Sequence, residues 1–212
     1  MSQVNAVHAM SKPVVIETPN FYMRRLTPGD ATERSGAWFD QPEICEGLNL
    51  KPGKKSKAEF ASYIAGFDQQ TNRISGVFDK RNGLLVTLST AEFNWSIRRV
   101  LMNIVVGEPE YRHCGVVLEA LVPARDFYSE DLDMKVMTAT ALATNKPVIA
   151  LLEVTGFTRN QTLTNHQTSY ATGRPVDLHL YSQSREDWRR WKADNQALVE
   201  QIRDCSSRLP AL

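Results

Sequence analysis

The chain has 212 residues, 42% of them hydrophobic, and 25 basic against 24 acidic side chains leave a net charge of +1. This composition excludes wholesale disorder and disfavours a generically basic nucleic-acid binder, while the length suits one domain, with or without appendages, that buries its own core. Cys45, Cys114 and Cys205 are widely spaced, His8, His113, His166 and His179 are scattered, and neither a bilayer-length apolar run nor a signal-type leader is visible, so the expectation is a soluble cytoplasmic protein with no metal site, no disulfide framework and no membrane contact.

In chain order, residues 1–19 read as an N-terminal tail. Phe21–Leu26 is a strand pattern that runs into Thr27-Pro28-Gly29-Asp30, a turn and helix start, with a helix through Trp38. Residues 40–56 read as a loop, with Pro42, Gly47, Pro52 and Gly53. Ser56-Lys57-Ala58-Glu59 is a capping box, and Phe60, Tyr63, Ile64 and Phe67 set a helical face to about Gln70. Arg73–Asp79 and Leu84–Thr90 read as strands around the hairpin turn Arg81-Asn82-Gly83. Arg99–Val106 is the most apolar strand. After a turn at Gly107–Tyr111, a helix is predicted from Val116 to about Tyr128, kinked or shifted in register at Pro123. Met134–Leu142 reads as a strand, Asn145–Thr155 as a helix stopped by Gly156, and Phe157–Thr164 and Val176–Ser182 as strands. Ser184 caps a last helix whose apolar face is Trp188, Trp191, Leu198, Val199 and Ile202. This order describes a mixed α/β layer fold with a substantially antiparallel sheet. It divides into the tail 1–19, a domain at 20–183, and a C-terminal helical segment at 184–212 that packs on the domain or at a dimer interface.

The segment 99–128 carries the chemistry. An apolar strand ends at Val106, and Arg112-x-x-Gly115 leads directly into a helix. A helix start offers unpaired N–H groups and positive potential. Gly115 admits close approach of backbone to a ligand, and Arg112 adds charge, so residues 112–117 suit a diphosphate. The same residues also read as a plain strand-to-helix turn; they fit neither a Walker loop nor GxGxxG.

The stretches VVGEPEYRHCGVV and NKPVIALLEVTGF resemble the GNAT acyl-CoA-dependent N-acetyltransferases, closest to the RimJ/RimL-like branch. Arg112-His113-Cys114-Gly115-Val116-Val117 follows the pyrophosphate-loop signature Q/R-x-x-G-x-G/A except at Val117, and Asn145 with Gly156-Phe157 follows N-x10-G-F. The resemblance implies an α/β, three-layer fold whose mixed, largely antiparallel sheet splays at its centre, between the strand at 99–107 and the strand at 134–142, with helices flanking it. It implies acetyl-CoA, or another acyl-CoA, as co-substrate, with pantetheine in the splay against the backbone of Ile104, Val105 and Val106. Amides of Arg112, His113, Cys114, Gly115, Val116 and Val117 would hold the pyrophosphate. Asn145 would meet the pantetheine arm, an N-cap being its other reading. The implied activity is acetyl transfer by direct attack of a primary amine, on a small molecule or a protein N-terminus, with no metal; relatives are often homodimers. A catalytically weak acyl-CoA-binding or interaction module is the alternative.

The departures displace the usual acid and base. Leu152 stands where many relatives carry Tyr, and Leu101 where RimJ/RimL-like relatives often place Glu. Glu108 at the strand exit and Asn103 within the strand are the substitute catalytic candidates, with Glu92 and Ser89 more distant. A solvated turn carboxylate is the other reading of Glu108, and a sheet-face hydrogen bond that of Asn103. The loops at 40–56 and 165–175 are expected to shape acceptor choice.

Overall fold

The computed structural model describes residues 15–211. Strands β1 (Ile16–Glu17), β2 (Phe21–Arg25), β3 (Asn72–Asp79), β4 (Leu85–Asn94), β5 (Arg99–Val106), β6 (Val136–Leu142), β7 (Thr158–Thr168) and β8 (Pro175–Ser184) form one sheet in the order β1-β2-β3-β4-β5-β6-β8-β7. Every neighbouring pair is antiparallel except β5 and β6, which run parallel. The helices are α1 (Glu33–Gly36), α2 (Pro42–Leu48), α3 (Lys57–Ala65), α4 (Val116–Asp126), α5 (Lys146–Val154), α6 (Arg185–Asp194) and α7 (Gln196–Ile202).

Alternation along the strands sends side chains to two cores. On one face Leu26, Ile74 and Leu88 meet Trp38, Ile44, Phe60 and Ile64 from the α1–α3 region. On the other face Phe21, Val77, Val100 and Met137 meet Ala120 of α4 and Leu152 of α5. The sheet is thus the middle of three layers. Helices α6 and α7 pack on α4 through Trp188, Val199, Ile202 and Val122. Trp188 is 1% exposed, stacks on Trp191 at 5.2 Å, and donates its indole N–H to Asp126 at 2.7 Å. Truncating a tryptophan buried this fully costs about 3–5 kcal/mol.

Several boundaries differ from the sequence reading. The expected loop at 40–56 contains α2, which starts with Pro42 in its first turn and stops at left-handed Asn49, φ 53°. The expected helix through Trp38 is broken: α1 lies between single turns of 3₁₀ helix at Pro28–Asp30 and Ala37–Asp40. Helix α3 ends at Ala65, short of Gln70, and the C-terminal helix divides at Asn195 into α6 and α7. Strand β4 runs past Thr90 to Asn94. Residues 1–14 of the expected tail lie outside the described residues, while Ile16 and Glu17 join the sheet opposite Met23 and Tyr22. No helix among the described residues is long and apolar enough to cross a membrane.

One buried carboxylate ties both ends of the described chain to α4. Glu119 is 1% exposed and accepts from Thr18 Oγ1, from the N–H and side-chain amide of Asn20, and from the Cys205 N–H at 2.9 Å. Burial pushes its pKa up, but the donors on Thr18, Asn20 and Cys205 outweigh burial and hold it below the usual value. A depressed carboxylate stabilises the fold above its unfolded pKa, and that contribution is lost as pH falls through the folded value. Glu119→Gln should therefore cost about 1–3 kcal/mol at neutral pH, with the gap to wild type narrowing on acidification. Urea unfolding at neutral and acid pH measures both quantities.

Candidate active site

The parallel pairing of β5 with β6 covers Arg99–Val136, Val100–Met137 and Leu101–Thr138, and the strands then diverge. The opening holds a cavity of about 110 Å³, lined by Met102, Ile104, Val117, Ala139, Leu152 and Phe157 among others. The Gly107 N–H donates to the Val86 carbonyl at 3.0 Å, in register with the β4–β5 ladder. Hydrogen-bonding direction alternates along a strand. Val105 therefore points its backbone at β4, whereas Met102, Ile104 and Val106 present theirs to the opening. Of the three backbone contacts expected from the sequence, Ile104 has a free edge, Val106 faces the opening with its carbonyl already taken by Arg112 Nε at 3.4 Å, and Val105 faces β4.

The loop after β5 is held from several sides. The Tyr111 hydroxyl donates to Asp79 at 2.6 Å, and Asp79, itself fully buried, also accepts from Arg81. Trp38 lies against Gly107 so closely that any Cβ there would overlap the indole. His113 and Gly115 are both left-handed, φ 65° and 96°, and Gly115 is the residue from which α4 starts. Backbone reversals of this kind are where anion-binding nests form. His113 is exposed, Cys114 and Val116 are buried in the core, and half-buried Val117 faces the cavity. Val117 therefore narrows the cleft at the position where the loop signature prefers Gly or Ala.

The Cys114 thiol donates to the Tyr111 carbonyl at 2.9 Å. A hydrogen bond from Cys205 and, more weakly, the charge of Arg208 draw Cys114 below the ordinary thiol range against its burial, and the same pairing pushes Cys205 up. The Arg112 guanidinium leaves the loop altogether. It bonds Gln41, approaches Glu43 at 3.4 Å, and donates to the Val106 carbonyl at 3.4 Å. Its backbone N–H is taken as well, donating to the Pro109 carbonyl at 3.1 Å, so the amide expected from Arg112 is withdrawn from the loop's anion-facing set.

The structure reassigns two further side chains. Glu108 is 2% exposed; its carboxylate accepts two bonds from Arg34 Nε at 2.9 Å and one from Trp38 at 3.1 Å. Fully engaged and absent from the wall of this cavity, it ties α1 and Trp38 to the strand exit, a placement that does not favour the catalytic role expected of it. Asn145 accepts from the Val148 N–H at 3.3 Å and donates to the Gly47 carbonyl at 3.1 Å. Its amide caps α5 and holds α2, so the N-cap reading describes it, although it still lines the cavity. Asn103 also lines the cavity, with Nδ2 3.5 Å from Thr90 Oγ1.

Ser89, ranked low from sequence, lines the cavity with a buried hydroxyl that has no hydrogen-bond partner among the described residues. Only its register opposite Ile104 brings it there. The two segments expected to shape acceptor choice meet beside the cleft: Asn49 donates to Gln167 at 2.9 Å and accepts from the Tyr170 N–H at 2.9 Å.

The parallel strand pair thus opens along β5 into an apolar cavity, with the start of α4 at the strand exit. A family model for the acetyltransferase (GNAT) domain matches residues 20–158. The chain belongs to the GNAT acetyltransferase family, enzymes that move an acyl group from coenzyme A to an amine. Among solved structures it resembles a GCN5-related N-acetyltransferase from Brucella melitensis, with TM-score 0.74, 16% identity, and coverage of 91% of this chain and 95% of that one. It also resembles the ribosomal-protein-S5-alanine acetyltransferase of Vibrio fischeri, with TM-score 0.69, 14% identity, and coverage of 82% and 98%. A third is the spermidine N-acetyltransferase of Vibrio cholerae, solved with CoA and spermine, at TM-score 0.67, 17% identity, and coverage of 80% and 98%. At these identities the likeness concerns the fold. Comparison with curated proteins gives no match.

Gly115 carries the local constraint most open to test. At φ 96° any L side chain is strained, so Gly115→Ala should cost about 1–3 kcal/mol. Chemical unfolding of the purified variant would show it, together with weaker CoA binding by calorimetry.

Proposed function

We propose that the chain acetylates a primary amine by direct attack on acetyl-CoA held between β5 and β6. The observation that carries this reading is the edge of β5 from Met102 to Ile104 that no strand covers, leading into the left-handed turns at His113 and Gly115. In this reading the Ile104 backbone and the Val106 N–H pair with the pantetheine arm, and the loop amides beyond Arg112 hold the diphosphate. The Ser89 hydroxyl serves a polar group of the arm. Bound there, acetyl-CoA supplies an activated acyl carbon. An N–H on the free edge of β5 stabilises the oxygen on which charge grows. Leu152 and Phe157 keep that region dry, and positioning does much of the remaining work.

Asn103 and Thr90 face each other across β4 and β5, as do Leu101 and Glu92. Alternation puts these four side chains on one face, opposite to Met102 and Ile104. The register supports Asn103 as the residue that orients the amine. It supports Glu92, exposed and directly across from Leu101, as the carboxylate that takes the amine proton through water. The acceptor is a small-molecule amine or a protein N-terminus, chosen at the rim where Leu48, Leu50 and Tyr170 are exposed. For setting and assembly we keep the cytoplasm and a homodimer as proposals; the long exposed edge strand β7 supports the second, and light scattering tests it.

Thiol release from acetyl-CoA, followed by mass spectrometry over a panel of primary amines and peptides, tests the activity. CoA release with at least one amine is expected; tight CoA binding with no release across the panel would sink the reading. Glu92→Gln should lower kcat by about 10²-fold with the KM for acetyl-CoA unchanged.

A further inference from the structure

We infer that Arg208, on the C-terminal arm beyond the family-matched segment, supplies to the acyl-CoA diphosphate the positive charge that the loop's own Arg112 has committed elsewhere. This rests on the cofactor-loop reading above. The Arg112 guanidinium is held by Gln41, Glu43 and the Val106 carbonyl, and its N–H by the Pro109 carbonyl, so the loop keeps the amides beyond Arg112 but not its cation.

The arm restores one. After α7, Cys205 is fully buried with its N–H on Glu119, and Asp204 accepts from the Asn20 side chain at 2.8 Å. A single 3₁₀ turn at Ser206–Arg208 follows. Beyond it the Pro210 carbonyl accepts from Arg81 at 2.9 Å, and Arg81 grips Asp79, the residue that anchors Tyr111 of the loop. The arm is therefore fastened on both sides of Arg208 to the frame that holds the loop.

Between those fastenings the guanidinium lies against the start of α4. A Cβ placed on Gly115 would sit 3.0 Å from Arg208 Nη2 and 3.3 Å from its Cζ. Arg208 is exposed, and among the described residues its guanidinium makes no ion pair or hydrogen bond. A cation beside a helix N-terminus meets the positive end of the dipole, which is unfavourable on its own. An anion seated on the amides of the same helix start removes that conflict, and the guanidinium fork suits phosphate oxygens. The arm holds an arginine at a place where a bound anion makes it favourable.

Calorimetry with CoA and with dephospho-CoA, together with steady-state kinetics, tests the assignment. Arg208→Ala should raise the Kd for CoA and the KM for acetyl-CoA about tenfold, with kcat at saturation and Tm unchanged. Arg208→Lys should recover part of the loss, and Arg208→Glu should weaken binding further. The same factor is expected with dephospho-CoA, which keeps the diphosphate. A penalty that disappears with dephospho-CoA would mean that the arginine reads the 3′-phosphate, and the assignment to the diphosphate falls. Wild-type binding that Arg208→Glu leaves untouched removes the arginine from the site while leaving the loop intact. Absence of CoA binding by the wild-type chain instead removes the loop reading itself.

Discussion

Three consecutive residue pairs of parallel ladder, ending at Leu101 and Thr138, hold the two halves of this sheet together. The cleft exists because the ladder stops there. Beyond it β5 keeps its antiparallel partner β4 on one side and has no strand on the other. Parallel strands also need a crossover, and here the crossover contains α4. Its first turn therefore falls where β5 ends and the strands separate. One topological requirement thus brings the unpaired edge and the amide-rich helix start together, the relation that places ligand sites at the carboxyl ends of parallel strands in open sheets.

Three buried carboxylates then make that junction rigid. Asp79 holds Tyr111 and Arg81, Glu108 holds Arg34 and Trp38, and Glu119 holds Thr18, Asn20 and Cys205. All are 2% exposed or less. Burial alone would raise the pKa of Asp79 and Glu119, yet the donors around each hold both below the ordinary range. A buried charge with every lone pair engaged fixes its partners strongly, because removing any one partner leaves an expensive desolvated group. Their work is geometric: they orient the strand exit, the loop and the arm, and leave chemistry to groups that face the cleft.

The division of charge around the loop follows from the same packing. Arg112 bridges β5 to the start of α2, and Asn145 bridges the start of α5 to the end of α2. Together they draw α2 alongside the opening, and Asn49 carries the connection on to the β7–β8 end. Side chains that a motif assigns to the cofactor here hold α2 beside the opening, and the C-terminal arm lays Arg208 against Gly115.

Much of this was legible before any coordinates. The capping box at Ser56, the Asn-Gly hairpin, the apolar run Arg99–Val106, the Arg112-x-x-Gly115 turn and the Gly156 stop are local signals, governed by backbone conformation and by hydrogen bonds a few residues apart. They determined most of the order of elements and the fold class, and they singled out residues 99–128 as the candidate site. The α2 helix was missed although Pro42 signalled its first turn, because seven residues containing a glycine carry little periodicity. What only the tertiary structure decided concerns partners distant in sequence: Glu108 bound to Arg34 and Trp38, Arg112 turned to Gln41 and Glu43, Ser89 brought opposite Ile104, and Arg208 laid against Gly115. A side chain's chemical type is written in the sequence. Whether its hydrogen-bonding capacity is already taken depends on which distant groups the fold brings within reach, and that is settled by packing.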